Sequence, residues 1–182
     1  MAGNTNKTKG SNAERLYANL FREVGFSFCK TSRQSNRMLD DAGIDLNFLP
    51  FNVQIKAGYS SGLNEFKTLQ LIRERLSELF PPNDEVHKKI DVLIHRKDVG
   101  RGKKREVTDD LVFIWEEDFH RIYEIYNIDF KDFIKVEGQK RGWSFEEHLK
   151  IKDYLLYSKD ELELVVMSFE TFKNLITKIQ WE

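Results

Sequence analysis

With one cysteine among 182 residues, Cys29 has no intrachain disulfide partner, and its neighbours Phe26, Ser27 and Phe28 suggest a packed strand and not a reactive loop. A reducing, cytoplasmic setting is the expectation. Long apolar stretches are missing too: nowhere do about 18 apolar residues run together, and Met1 to Ser11 is polar with Lys7 and Lys9, so no membrane span and no export signal is expected. His87, His95, His120 and His148 are scattered and lack metal-ligand spacing with Cys29, which argues against zinc. The chain contains no Walker loop, dinucleotide fingerprint or nucleophile elbow. A net charge of −1 offers no global excess of either sign, so any surface for a polyanion must be a local patch.

What is present is a globular composition, 40% hydrophobic and 13% aromatic, able to bury one full core and a small appendage. After a flexible start over 1–11, Asn12 can cap a helix whose Leu16, Tyr17, Leu20, Phe21 and Val24 recur at helical spacing until Gly25. A short strand, Phe26 to Thr31, and a polar, flexible stretch, Ser32 to Ala42, follow. Strict alternation then predicts strands Ile44 to Leu49 and Asn52 to Ala57, each with one apolar and one polar face. A symmetric turn around Leu49-Pro50 sets Asp45 opposite Gln54.

Phe66, Leu69, Leu71, Ile72, Leu76, Leu79 and Phe80 mark a long crossover helix closed by Pro81-Pro82. Buried strands are predicted over Ile90 to His95 and Leu111 to Trp115, then a helix over Phe119 to Tyr126, giving αβββαββα. Beyond Asn127 lie a turn-like Gly138 to Gly142, a helix over Leu149 to Leu156 with capping-box spacing at Ser144 and Glu147, a strand over Leu162 to Met167 and a helix over Phe169 to Ile179. Leu164-Val165 with Phe172 and Leu175 echoes Leu111-Val112 with Phe119 and Ile122 at a constant offset of 53. Duplication and shared periodicity both account for the echo. The expected organisation is a core over 12–126 and a C-terminal α/β extension over 127–182, packed on or beside it.

The chemistry concentrates in the first half. Asp45, Gln54 and Lys56 lie on polar strand faces, and Glu14 sits at the edge of the first helix's apolar face, from which a carboxylate can reach the sheet. Hard oxygen donors beside a cation suit magnesium and a phosphate. The series Lys9-Gly10, Glu14-Arg15, Gly25-Phe26, Asp41-Ala42-Gly43-Ile44-Asp45 and Val53-Gln54-Ile55-Lys56 resembles the PD-(D/E)XK, restriction-endonuclease-like superfamily over roughly 9–115. The opening is similar to the archaeal type of Holliday-junction resolvase, and Asp-x-Gly-Ile-Asp with Gln-x-Lys to Mrr-type nucleases.

The resemblance implies a mixed central sheet flanked by helices in αβββαβ order. It also implies Mg²⁺ (Mn²⁺ substituting) held by Asp45, Gln54 and Glu14, with Lys56 orienting the attacking water or stabilising the charged phosphorane. DNA is the implied substrate, and cutting branched DNA implies a symmetric homodimer. Gln54 departs from the superfamily pattern, which has an acid there, and removes one negative charge from the cage.

Arg96, Lys97, Arg101, Lys103, Lys104 and Arg105, interleaved with glycines, resemble a hairpin tip able to track phosphates, and Arg33 and Arg37 add two further cations. Each feature has an ordinary reading: solvated polar faces for Asp45 and Lys56, a helix-dipole partner for Glu14, a solvated loop for the basic run. The alternative to an active nuclease is an inactive nuclease fold that binds nucleic acid or organises an assembly.

Overall fold

In a computed structural model of the chain, the structure describes residues 3–58, 63–97, 106–126, 134–137, 145, 149–150 and 153–178. Helix α1 spans Gly3–Glu23, beginning nine residues before the expected cap at Asn12. No proline interrupts this stretch, so the helix propagates upstream past a residue that could have capped it. It ends as expected at Gly25, whose φ of 112° lets Phe26 N–H close onto the Phe21 carbonyl at 3.0 Å.

The strand expected over Phe26 to Thr31 shrinks to β1, Lys30–Thr31, and the stretch expected to be flexible folds into two short helices, α2 (Ser32–Ser35) and α3 (Arg37–Asp41). Asn36 caps α3, its side chain accepting from Met38 and Leu39 N–H. Strands β2 (Leu46–Asn47) and β3 (Phe51–Gly58) follow, then α4 (Glu65–Leu79), which is capped by the Asn64 side chain and ends just before Pro81-Pro82. Strands β4 (Ile90–Lys97) and β5 (Leu111–Trp115) and helix α5 (Glu116–Tyr126) agree with the predicted elements within a few residues.

The C-terminal part adds β6 (Ile134–Glu137), β7 (Tyr154–Lys159), β8 (Leu162–Ser168) and a last helix, here α6, Phe169–Lys178. β6 had no counterpart in the predicted elements, and β7 occupies the end of the expected helix Leu149 to Leu156. Tyr154 to Tyr157 is aromatic and apolar at successive positions, a run that suits a strand covered on both faces. β7 turns into β8 through Asp160 and Glu161, both at positive φ, with Lys159 opposite Leu162. The turn-like 138–142 and the capping pair at 144 and 147 lie outside the described residues.

All eight strands form one mixed sheet in the order β1-β2-β3-β4-β5-β8-β7-β6. β3 and β4 are parallel and joined by α4, β6 and β7 are parallel, and the other pairs are antiparallel. The extension therefore continues the same sheet through β5 and β8. One core, on the α1 side, gathers Tyr17, Phe21, Val53, Ile55, Phe119 and Phe172. The second gathers Leu39, Ile44, Phe66, Leu69, Phe113 and Val166 on the α4 side.

These two layers correct the expected half-polar hairpin. Asn52 and Gln54 are 2% and 7% exposed, because α3 and α4 cover the face that alternation assigned to solvent. Ile44 packs in the second core, Leu46 in the first, and Phe48 is exposed with φ 63°. Residues two apart cannot reach opposite layers from an uninterrupted strand, so the chain is offset at Asp45.

Candidate active site

Asp45 precedes β2 at this offset. Its N–H donates to the Val53 carbonyl at 2.7 Å and its carbonyl accepts from Ser32 N–H at 2.8 Å. The side chain turns back to β3, where Oδ2 accepts from Ile55 N–H at 2.6 Å. Leu46 pairs with Val53, the same register that sets 45 opposite 54. Asp45 is nonetheless tied to the β3 backbone and is not a ladder partner of Gln54.

Burial pushes the Asp45 carboxyl up to about 7; the Ile55 N–H opposes this, Glu14 adds to it, Lys56 opposes it and Asp40 adds to it. Glu14, 8% exposed on α1, is also raised by burial, against the pull of the Arg33 guanidinium. Arg33 pairs with Glu14 Oε1 at 3.5 Å and Asp40 Oδ1 at 3.8 Å, and donates to Ser11 Oγ at 3.2 Å. Glu14, Asp40, Asp45, Lys56 and Arg33 thus share one electrostatic neighbourhood where α1, α3, β2 and β3 meet.

Gln54 comes from the same strand as Lys56, on the α4 side. A Cβ on Gly43, whose φ is 85°, would stand 2.8 Å from Gln54 Nε2 and 3.2 Å from Arg75 Nη1, so the missing side chain makes room for the amide. Gly43 belongs to the Asp-Ala-Gly-Ile-Asp segment, and here its lack of a side chain has a direct use. Lys56 lies in register with the buried His95 of β4.

In the sequence, Asp41 is the acid of the Asp40-Asp41 turn that could make up for the charge missing at Gln54, but Asp40 is the one that faces Arg33. Asp41 instead pairs at the surface with Arg37 at 3.7 Å. The signal for Asp40 was Asn36, which caps a helix that turns Asp40 and Leu39 inward.

The cationic residues divide. Arg33 serves the carboxylates and Arg37 is exposed beside Asp41. Arg96 corrects the expected phosphate role: its Nη1 donates to the buried Asp110 Oδ2 at 2.8 Å, on the face of β4 that meets α1. Tyr17 Oη donates to the same oxygen at 2.5 Å. The Lys97 side chain and Arg101, Lys103, Lys104 and Arg105 lie outside the described residues; β3 and β4 are parallel, so β4 ends, at Lys97, at the same end of the sheet as Lys56.

Two carboxylates and an amide oxygen are hard donors of the kind a divalent cation takes, and Asp45 Oδ1 has no protein partner among the described residues. Among the described residues, no three His, Cys, Asp or Glu side chains come together as a metal site by themselves. No helix among the described residues is long and apolar enough to cross a membrane. The chain matches no family model, and no curated protein or solved structure matches it.

Proposed function

We propose that the chain is a metal-dependent DNA nuclease with a restriction-endonuclease-like core, acting through Glu14, Asp45, Gln54 and Lys56. The observation that carries this reading is the shared charge neighbourhood of Glu14, Asp45 and Lys56, brought from three elements to one edge of the sheet, with Asp45 held on the β3 backbone. Set apart from the short α2 and α3, the elements follow αβββαβ, which supports the fold reading.

Asp45 Oδ1, a Glu14 oxygen and the Gln54 carbonyl would hold Mg²⁺, which supplies Lewis acidity toward a phosphate and acidifies a water. Asp45, fixed through Oδ2, sets the position of the ligand set. Lys56 offers a fixed cation to the charge that grows on the phosphate oxygens as water attacks in line. Arg33 balances Glu14 and Asp40 and holds the carboxylates together against their repulsion.

The test is cleavage of supercoiled, linear, single-stranded and four-way-junction DNA in Mg²⁺, Mn²⁺ or EDTA, with wild type and Asp45→Asn. Metal-dependent cutting that disappears in the variant is the expected result; no cutting of any substrate by wild type would remove the proposal. Two observations favour a second reading, a site-less nucleic-acid-binding module. Arg33 already neutralises acids that a metal would need, and Gln54 brings no charge. Under that reading DNA binding is equal with and without metal.

A further inference from the structure

The echo at an offset of 53 residues relates β5-α5 to β8-α6, and the correspondence continues outward through the strand registers at larger offsets. α5 and α6 each begin directly after their strand, at Glu116 and Phe169, which are 53 positions apart. β5 and β8 are antiparallel neighbours, and their pair Phe113↔Val166 joins two positions that are themselves 53 apart. That pair therefore lies on a pseudo-two-fold axis normal to the sheet. The axis carries Leu111↔Ser168 onto Leu164↔Trp115, and Val112↔Met167 onto Val165↔Ile114.

The symmetry spreads outward from the axis. β4 is antiparallel to β5 as β7 is to β8, and β3 is parallel to β4 as β6 is to β7. Facing agrees as well. Ile94 and its counterpart Leu156 enter the first core, Leu93 and Leu155 the second, and Phe119 and Phe172 both return to the first. α4, between β3 and β4, finds its counterpart in Phe145 and Leu149, which lie between β6 and β7 and join the second core. Common periodicity explains one strand-helix match, but not order, direction, register and facing together.

We infer that residues 51–126 and 134–178 are two copies of one β-α-β-β-α unit, and that the second is a site-less copy standing where a symmetric partner would stand. Followed through the registers, Gln54 corresponds to Ile134, Lys56 to Val136 and His95 to Tyr157. An amide, an ammonium and an imidazole have given way to two aliphatic side chains and a phenol. Too few residues separate Tyr126 from Ile134 to hold counterparts of α1, β1 and β2, so Glu14 and Asp45 have no second version.

Two consequences follow, one for assembly and one for activity. β8 covers the β5 edge through which a second copy could have extended the sheet. Among the described residues the edges left are β1 and β6, two and four residues long, poor templates for strand addition. The chain is a monomer. Its activity, which rests on the nuclease reading above, is single-strand cutting: one water adds across one P–O bond per encounter, leaving a phosphate monoester on one fragment and a hydroxyl on the other.

The experiment uses the full wild-type chain in two arms. Light scattering after gel filtration reads the mass, with 21.6 kDa expected; a stable dimer overturns the inference whether or not the protein cuts DNA. A time course on supercoiled plasmid with Mg²⁺ reads the product. Open circles should accumulate first, at a rate proportional to the first power of protein concentration, with linear DNA arising from them later. Linear DNA without an open-circle precursor would overturn the single-strand product. Absence of all cutting would remove the nuclease reading, while the mass still decides the role of the second unit.

Discussion

Asp45 sits where burial works against its own charge. Its folded pKa, about 7, exceeds the ordinary 3.8 of an aspartate, so the folded state keeps this proton between those values while the unfolded chain gives it up. The stability it confers is full below about pH 4 and is lost as pH rises through 7. Asp45→Asn keeps an acceptor for Ile55 N–H without the charge. In the absence of metal the variant should melt on the order of 10 °C above wild type at pH 8, with no difference near pH 4. An equal difference at both pH values would show that burial of the charge is not the cause. If Lys56 stabilises the transition state as other fixed donors do, Lys56→Ala should lose about 3 kcal/mol, or roughly a hundredfold in cleavage rate, with the fold intact by circular dichroism. Gly43→Ala should lower stability by about 1–3 kcal/mol in urea titrations, since the added Cβ meets both a positive φ and the Gln54 amide. The candidate residues were legible in the sequence because polar side chains at strand spacing stand out against apolar ones. The offset at Asp45 was not: it depends on which of two layers each neighbour enters, and Ile44, Leu46 and Phe48 look alike until those layers exist.

Helix α1 is held to the sheet by a buried polar knot as well as by its apolar stripe. Asp110 accepts from Tyr17 and Arg96 through one oxygen, and its backbone carbonyl accepts from Phe169 N–H at 2.7 Å, so one residue ties α1, β4 and α6. Tyr17→Phe should cost about 1–3 kcal/mol in urea unfolding, because it removes the phenolic donor from a fully buried carboxylate. No loss would mean that the other partners of Asp110, Arg96 among them, suffice without the phenol. Arg73 plays a similar part on the other side, bonding Asp91 at 3.0 Å, Glu117 at 2.5 Å and Asp118 at 2.8 Å while its guanidinium lies 5.0 Å from the Trp115 ring centre. Elements with one clear signal, such as the helical period of α4 and α5 or the unbroken apolar run of β5, could be read directly. β6 and β7 could not, because Ile134-Lys135-Val136 is too short to establish a period, and Leu149 to Leu156 carries apolar residues at spacings that fit a helix until pairing with β8 decides for a strand.

On the scale of the molecule, the basic connection between β4 and β5 should govern affinity for DNA more than any side chain at the site. Replacing Lys103, Lys104 and Arg105 by alanine should reduce the slope of log affinity against log salt by about three and weaken binding to all sequences alike. A slope unchanged from wild type would place the phosphate contacts elsewhere. The architecture was legible as α/β, and the offset of 53 was visible, but its meaning depended on strand pairing between distant residues. The turn between β7 and β8 bears on how quickly this arrangement can be reached. Asp160 and Glu161 link β7 to β8 by the shortest connection between paired strands, and with φ values of 50° and 66° both lie in the left-handed region, which an aspartate tolerates and a glutamate resists. The hairpin with the most local contacts therefore begins with an unfavourable turn, and Glu161→Gly should relieve about 1 kcal/mol of it. If β7 and β8 close before the distant β5 edge docks, that relief will appear in stopped-flow refolding as a faster rate, with unfolding almost unchanged. The same gain confined to slower unfolding would place the hairpin late in folding.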